Sequence, residues 1–462
     1  MRLISITPIL AIFLAATGCV LTNPTDPYEP VAPRFKPATQ VSPRRTVESP
    51  SVSKALTRRE AIDIALANNP GLAARRRDFS AAGAREDIAV SRRLPDVRAR
   101  TSYTDYVNEQ PLVAIGGSPQ GQTFTDDIAT AEVMVDMPLF TGGRITSQIR
   151  AAELLRKASR HTLARTRHEL IFNVSSVFYG ILAQERVIES LEFSRTSLRE
   201  HLEQVKNLIE NQKATKVDRL RTEVRLANVR EELARAENNL RIKRHALANL
   251  LGIEDRAGAL ELDGELEFEE KPVAAAKEAV ARAYKRREDY RSAKRGVEAR
   301  ARRVDAARAD RWPDVAFEAA YGNRWDVSHV SESEDAGRVG VALIVPLFEG
   351  GRIGAAIREE KSKLGAAQER LRRLKLQVRL EVQTALSNVA SARERVQATR
   401  KVVEQGEESL RIERLKHRVG EAAITDVLDA QADMLQSQTN YHRALADYNT
   451  ALAELDLATG GN

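Results

Sequence analysis

Two nearly identical stretches decide the fold of this chain: Met137-Pro138-Leu139-Phe140-Thr141-Gly142-Gly143-Arg144-Ile145 and Val345-Pro346-Leu347-Phe348-Glu349-Gly350-Gly351-Arg352-Ile353. The two stretches lie 208 positions apart, and the same separation relates Asp218 to Asp426 and Gly252 to Gly460. Such a long correspondence without a gap indicates two copies of one structural unit. We expect the chain to turn from a strand into a helix at Pro138, Gly142, Gly143 and Arg144 in the first copy, and at Pro346, Gly350, Gly351 and Arg352 in the second.

Four segments alternate between apolar and polar side chains, at about 97–104, 130–137, 314–321 and 338–345. A period of two is typical of a β-strand with one apolar face. Both a membrane barrel and a soluble antiparallel sheet have this pattern, so the alternation alone leaves both open. Four strands cannot close a barrel, and lipid does not tolerate open sheet edges. A membrane location therefore requires several chains to share one barrel.

The rest of each copy has the composition and spacing of long helices. Leu, Val and Ala recur at coiled-coil spacing between Arg and Glu, for example at Leu364, Leu371, Val378 and Ala385. The predicted helices cover about 57–93, 144–211 and 216–251 in the first copy and about 274–311, 352–418 and 425–458 in the second, with a break at Asn68-Asn69-Pro70. The predicted fold is mainly α with a small β part, built from two helix–strand–strand–helix–helix repeats.

The N-terminal residues have the pattern of a secretory signal peptide. An apolar run from Leu3 to Ala16 is followed by small residues and by Cys19, the single cysteine of the chain. This stretch resembles a bacterial lipoprotein signal, which implies acylation of Cys19; an ordinary signal peptide with a chance cysteine is the alternative. Seven prolines between residues 20 and 54 predict an extended linker. We expect a signal peptide at 1–18, a lipidated linker at 19–54, repeats at 55–252 and 274–462, and an equatorial-type linker at 253–273 between them.

Composition excludes several classes of protein. One cysteine cannot form a disulfide framework, and no internal run of about 18 apolar residues predicts a membrane-spanning helix. The net charge is +7, but arginines alternate with acidic residues along the helices, which is typical of a solvated helix surface and not of a nucleic-acid interface. The sequence has no phosphate-binding glycine loop and no HExxH motif. We therefore expect no enzymatic activity, no cofactor and no metal site.

Three motifs together resemble the TolC family of outer-membrane factors. Residues 56–70 resemble the opening helix of that family, the Pro-Leu-Phe-x-Gly-Gly-Arg-Ile motif occurs twice, and residues 420–431 resemble its helical tip. The resemblance spans about residues 55–460. It implies a homotrimer in outer-membrane lipid, in which each chain gives four strands to a twelve-stranded β-barrel. The long helices would form an α-barrel across the periplasm.

The resemblance also implies a function. The trimer would be a passive exit duct that works with a periplasmic adaptor and an inner-membrane transporter, and small-molecule efflux is the leading expectation. An exit pore for type I protein secretion is the alternative within the family. From other classes, a periplasmic coiled-coil adaptor and a structural lipoprotein remain alternatives; neither explains two hairpins with duplicated strand pairs.

The resemblance places the functional residues at the tips of the two helical hairpins. Asp426 and Asp429, three positions apart on one helix face, would form a periplasmic gate together with Asp218. Basic residues near Asp218, such as Arg219 and Arg221, are candidates for ionic contacts that close this gate. An equally weighted alternative is helix capping by Thr425 or Asp426, with Asp429 complementing the helix dipole. The expected adaptor-docking residues are Gln212, Lys213, Ala214, Val419, Gly420, Glu421 and Ala422.

Overall fold

A computed structural model describes residues 55–108, 110–111, 123–124, 126–212, 214–253, 260–326, 333–419 and 421–461. The first copy contains α1 (Arg58–Asn68), α2 (Pro70–Ser91), β1 (Asp96–Asp105), β2 (Gln110–Pro111), β3 (Thr123–Phe124), β4 (Asp127–Phe140), α3 (Arg144–Glu210) and α4 (Lys216–Leu251). The second copy contains α5 (Ala276–Arg286), α6 (Glu288–Ala309), β5 (Asp314–Asp326), β6 (Ser333–Ile344), α7 (Arg352–Arg418) and α8 (Ile424–Thr459). The predicted fold class and the duplication are confirmed.

The four long strands form one antiparallel sheet in the order β1-β4-β5-β6. Val133 of β4 lies opposite Tyr321 of β5, and Ala319 of β5 lies opposite Val339 of β6. Residues that face each other across an antiparallel pair share one side of the sheet. The apolar residues of all four strands therefore form one continuous face, as the alternation predicts. Val133, Tyr321 and Val339 are exposed, so nothing in the described part of the chain covers this face.

The helices pack as two long hairpins, one from each copy. Helices α3 and α7 each have 67 residues, which corresponds to about 100 Å at 1.5 Å per residue. Helix α3 packs against α4 of its own copy and also against α6 and α8 of the second copy. Near the hairpin ends, one buried apolar cluster joins all four helices and includes Leu202, Leu226, Leu410 and Leu428. This cluster holds the two hairpin tips side by side.

The second copy differs from the predicted single helix over 274–311, because the helix is broken at Arg287. The break has the same backbone as the predicted break in the first copy: Asn69 has φ −58° and ψ 121°, and Arg287 has φ −60° and ψ 122°. The reason is the buried guanidinium of Arg287, which binds Asp289 at 2.6 Å and Glu381 at 2.5 Å. An extended residue at this joint lets the side chain reach both carboxylates.

The described part of the connection between the copies, 260–275, has no helix and only one bridge residue. Leu262 pairs in parallel with Leu56, next to the start of α1. The buried hydroxyl of Tyr448 in α8 donates to the carbonyl oxygen of Glu269 at 2.8 Å. These contacts lay the segment along the helices of both copies. Among the described helices, none combines the length and the apolar character needed to cross a bilayer.

Candidate functional site: the two helical tips

The first tip is the turn between α3 and α4, closed by a capping box. Thr215 is the N-cap of α4; its hydroxyl accepts a hydrogen bond from the backbone N–H of Asp218 at 3.3 Å. The Asp218 carboxylate accepts in return from the backbone N–H of Thr215 at 2.9 Å. The hydrogen bond from the Thr215 hydroxyl, with that from its backbone, lowers the pKa of Asp218. Asp218 is therefore ionised at neutral pH and satisfies the first turn of α4.

The second tip repeats this geometry without the hydroxyl. The N-cap of α8 is Ala423, and its backbone N–H donates to the Asp426 carboxylate at 3.1 Å. Thr425 donates to the same carboxylate at 3.4 Å. Alanine has no side-chain acceptor, so the backbone N–H of Asp426 donates only to the carbonyl oxygen of Ala423, at 3.1 Å, and has no hydroxyl like that of Thr215 to bind. Asp426 therefore makes one of the two hydrogen bonds of a capping box, and the bond to an N-cap side chain is missing. Capping was one of the two roles predicted for this residue.

The two tips therefore predict opposite effects for matched substitutions. Ala423→Thr completes the capping box, and we expect it to stabilise the second tip by about 0.5–1 kcal/mol. Thr215→Ala removes the box in the first copy and should cost about 1 kcal/mol. Hydrogen exchange of the backbone amides at the start of α4 and α8 measures both changes. Faster exchange at the start of α8 in Ala423→Thr would contradict this account of the second tip.

Asp429, the third predicted gate residue, forms an ion pair between the two copies. Its carboxylate accepts from the Arg225 guanidinium of α4 at 2.6 Å. The basic residues singled out in the sequence behave differently: Arg219 contacts Glu223 of its own helix at 3.6 Å. Sequence reasoning missed Arg225, because the pair depends on how α4 and α8 lie relative to one another. The only indication in the sequence that Arg225 belongs to this site was its position seven residues, or two helical turns, after Asp218.

A surface groove of about 480 Å³ lies between α4 and α8 beside this ion pair. Three exposed apolar side chains of α4 line it at helical spacing, namely Val217, Leu220 and Val224. Asp429 borders the same groove. Exposed apolar residues next to a charged pair are typical of a surface that another chain covers.

The predicted docking residues surround both turns. Gln212 is exposed and has φ +62°, a left-handed conformation that is uncommon for a residue other than glycine. Val419 and Glu421 are exposed as well, whereas Ala214 and Ala422 are half-buried. Two docking residues, Lys213 and Gly420, and the predicted lipidation site Cys19 lie outside the described residues. The five described docking residues thus form two short turns at one end of the bundle.

The four glycines of the repeated motif adopt the same turn in both copies. Gly142 and Gly350 have φ +58°, and Gly143 and Gly351 have φ +86° and +83°. These values lie in the left-handed region that favours glycine. The pair turns each strand into its long helix, as the motif predicts. Pro138 lies at a register irregularity in β4, and Pro346 lies in the extended segment after β6.

The arginine after the first glycine pair connects the two copies. Arg144 donates to Asp314, at the start of β5, at 2.6 Å and lies 3.7 Å from Asp310. In the second copy, Arg352 is more exposed and contacts Glu349 of its own turn. The same motif residue thus has different partners in the two copies.

Comparisons with known proteins agree on one family. The sequence profile described as "Outer membrane efflux protein" matches residues 61–253 and 279–461, one block in each copy. Nodulation protein T of Rhizobium leguminosarum bv. trifolii is 23% identical over 355 residues, which cover 76% of this chain and 74% of that protein. Cobalt-zinc-cadmium resistance protein CzcC of Cupriavidus metallidurans is 26% identical over 336 residues, covering 68% of this chain and 74% of that protein.

The fold is shared with solved structures. The crystal structure of the outer membrane protein VceC from Vibrio cholerae superposes with a TM-score of 0.75 at 21% sequence identity, covering 88% of this chain and 96% of that chain. At this identity the likeness concerns the fold.

Proposed function

Because this chain belongs to the outer membrane efflux protein family, we propose that it is the outer-membrane exit duct of a tripartite export system. One observation carries the proposal: a sheet with an uncovered apolar face is joined to helical hairpins about 100 Å long. An exposed apolar sheet face is stable in lipid, and helices of this length reach far from the membrane. The chain is a passive conduit, and the transporter supplies the energy.

The proposed assembly is a homotrimer. Within the described residues, β1 and β6 are the outer strands of the sheet and have one unpaired edge each. Open edges are not tolerated in lipid, so the sheets of neighbouring copies must pair. Three chains with four strands each give a closed barrel of twelve strands, and the long helices continue it as a tube through the periplasm. Acylation of Cys19 would add an anchor to the outer membrane.

The proposed gate is at the helical tips. Asp429 is held by Arg225 at 2.6 Å in each chain, and Asp426 is exposed one turn closer to the tip. In a trimer, these carboxylates would surround the axis and favour cations over anions. The exposed turns around Gln212 and Val419 are the proposed contact for the periplasmic adaptor, which joins the duct to an inner-membrane transporter.

The proposed cargo is a small solute. The relative CzcC is named for resistance to cobalt, zinc and cadmium, which are small cations. Acidic residues at the tip are compatible with cationic cargo. A vesicle-based export assay with the complete system, comparing metal cations with organic cations and with an unfolded polypeptide, tests this assignment. Transport of the polypeptide alone would favour the protein-secretion alternative.

Conductance of the purified chain in planar bilayers tests both the duct and its gate. Arg225→Ala removes one exposed ion pair per chain, and each such pair contributes about 0.2–1 kcal/mol. Three pairs together should shift the open-to-closed equilibrium about 3- to 160-fold towards the open state. We therefore expect larger and longer openings than in the unmodified chain.

The matched control for this measurement is Arg230→Ala. Arg230 is exposed on the same helix, and its replacement removes the same charge but leaves the pair with Asp429 intact. If both variants open equally, net charge and not the ion pair controls the gate. If neither the unmodified chain nor Arg225→Ala conducts at any voltage after insertion, the duct itself is refuted.

A further inference from the structure

A second surface groove, of about 390 Å³, lies between the two hairpins and is lined by residues of α3, α7 and α8. Helix α8 packs against both α3 and α7 and therefore forms the bottom of the groove. None of its described lining residues borders the groove beside Asp429. The volume lies within the range of sites that bind small molecules, about 300–1,000 Å³.

One wall of this groove offers an open aromatic ring. Phe193 of α3 lines the groove and is 66% exposed, although phenylalanine is among the residues most often buried in proteins. Leu410 and Met434 line the groove as well, and both are buried. An aromatic ring with an uncovered face packs well against another aromatic ring. The wall therefore suits a ligand with a flat apolar body.

The opposite wall carries three arginines of α7 on one helix face, namely Arg411, Arg414 and Arg418. The first two have partners: Arg411 binds Glu408 at 2.7 Å, and the Arg414 guanidinium donates to the Ser197 hydroxyl of α3 at 3.2 Å. The exposed guanidinium of Arg418 has no hydrogen-bond or ion-pair partner among the described residues. Arg418 is therefore the arginine of this wall that is available to a ligand.

The charge of this wall is specific to the second copy. The equivalent positions of the first copy, 208 residues earlier, are Glu203, Lys206 and Glu210. Glu407 is the one acidic residue among the described lining residues, so the groove has three positive charges against one negative charge. A groove with this excess of positive charge attracts anions and disfavours cations.

Gln431 of α8 adds a hydrogen-bond donor without a partner. It lines the groove and is only 7% exposed, and its amide nitrogen is buried with no hydrogen bond to any part of the chain that the structure describes. A buried donor without a partner costs free energy, and an acceptor on a ligand would remove that cost. The terminal torsion of glutamine is soft, so the amide can turn an N–H towards an acceptor in the groove.

From these observations, we propose that the groove binds a small amphipathic organic anion, with a flat apolar body and one carboxylate or sulfonate group. The body lies on Phe193, and the acid group accepts hydrogen bonds from Arg418 and Gln431. Such a ligand is opposite in charge to cationic cargo. The site thus goes beyond the proposed duct: its ligand acts on the duct and is not what the duct carries.

A ligand in this groove contacts both hairpins, because Phe193 belongs to the first and Arg418 and Gln431 belong to the second. Closer to the tip, α3 and α7 already meet at His201 and His417, whose rings pack edge to face with 6.3 Å between their centroids. The ligand would extend this contact away from the tip and hold the hairpins side by side. We therefore expect the bound anion to favour the closed state of the proposed gate.

Binding of 1-naphthalenesulfonate to the purified full chain in a nonionic detergent tests the site. Isothermal titration calorimetry gives the affinity after subtraction of a titration into detergent alone. The matched ligand is 1-naphthylmethylammonium, which has the same ring system and the opposite charge. We expect the sulfonate to bind and the ammonium compound not to bind. Arg418→Gln should weaken binding of the sulfonate about 10-fold, and Phe193→Ala about 5-fold.

The matched control for these variants is Arg400→Gln. Arg400 is exposed on the same helix, pairs with Glu404 at 3.4 Å and does not line the groove. Its replacement removes the same charge as Arg418→Gln and should leave the affinity unchanged. Equal losses in the two variants would attribute binding to net charge and overturn the site. Equal binding of both naphthalene compounds, or no binding of the sulfonate at millimolar concentration, would overturn it as well.

Phe193→Trp gives a readout at the groove itself. The native residues Trp312 and Trp325 lie at the sheet end of the chain, and position 193 lies about 70 Å along α3 from that end. The sulfonate should change the emission of the introduced indole, and adding Arg418→Gln should suppress this change. Unchanged emission despite calorimetric binding would place the ligand elsewhere and contradict the proposal.

Conductance in planar bilayers tests the effect of the ligand on the gate, and this part rests on the proposed duct. We expect the sulfonate to shorten the openings of Arg225→Ala and to have no effect once Arg418→Gln is added. Binding without any change in the openings would overturn the role at the gate. A failure of the duct itself would appear as absent conductance in Arg225→Ala, whereas calorimetric binding would still support the site.

Discussion

Replacing Arg287 with alanine lowers the free energy of unfolding by about 3 kcal/mol, among the largest effects expected for one residue of this chain. Arg287 is buried and holds Asp289 and Glu381 at 2.6 and 2.5 Å. Removal of the guanidinium leaves two carboxylates without their cation. We place the cost at the lower end for a severed buried pair because both carboxylates keep some contact with water. Urea unfolding followed by circular dichroism in detergent measures it.

The pH dependence of this loss gives a second readout. Burial disfavours the ionised form of Asp289, but the hydrogen bond and the charge of Arg287 outweigh burial and lower the pKa of the carboxyl. The stabilisation is therefore present above the ordinary pKa of 3.8 and is lost as the pH falls through the lowered value. The difference in stability between the two proteins should therefore shrink as the pH falls below about 4, through the lowered pKa of Asp289.

Arg287→Lys and Asn69→Ala are the controls. Lysine keeps the charge but cannot bind Asp289 with two nitrogens, so we expect an intermediate loss. Asn69 at the equivalent joint accepts from the N–H of Leu72 at 3.0 Å and donates to the carbonyl of Leu250 at 2.9 Å. Its replacement should cost only about 1 kcal/mol, with no pH dependence in this range. An equal loss in all three variants would attribute the effect to the joint and not to the buried charge.

Gly142→Ala should have the second large effect, about 2–5 kcal/mol. A Cβ at Gly142 would lie 2.5 Å from the Cβ of Trp312 and 2.8 Å from the carbonyl oxygen of Ala309. Neither atom can move without its backbone. The backbone at Gly142 also has φ +58°, which penalises any residue with a Cβ. The cost thus combines a strained conformation with a steric clash.

Gly143→Ala separates the two causes. Gly143 has φ +86°, but no described atom lies within 4 Å of its Cβ position. We expect only the conformational cost of about 1–2 kcal/mol. Unfolding of both variants in detergent, measured by the loss of helical circular dichroism, gives the comparison. Equal losses would mean that Trp312 adapts and that the close approach has no energetic weight.

The sequence was sufficient to predict those parts of the fold that depend on local pattern. The duplicated motif, the four alternating strands and the long helices without proline are properties of neighbouring residues, and each was found where predicted. The first helix break was marked by Asn69-Pro70. The second was missed because Arg287 carries no local signal: its conformation depends on Glu381, which is 94 residues away.

The same distinction applies at the tips. Capping by Asp426 was one of the two roles predicted from the sequence, because a cap bonds within its own turn; the capping role of Asp218 was not predicted. The ion pair between Arg225 and Asp429 joins residues separated by 204 positions, and it depends on the relative rotation of two helices. Sequence spacing fixes which residues share a face of one helix. It does not fix which residue of another helix that face meets.

The length of the two 67-residue helices has a mechanical consequence. Each helix begins at the glycine turn beside the sheet and ends at the tip of its hairpin, about 100 Å away. If the helix tilts by about one degree at the glycine turn, its far end moves by nearly 2 Å. A displacement of this size is comparable to the 2.6 Å that separates Arg225 from Asp429. A small rotation at the glycine turn is therefore enough to shift the tip by nearly the length of a hydrogen bond.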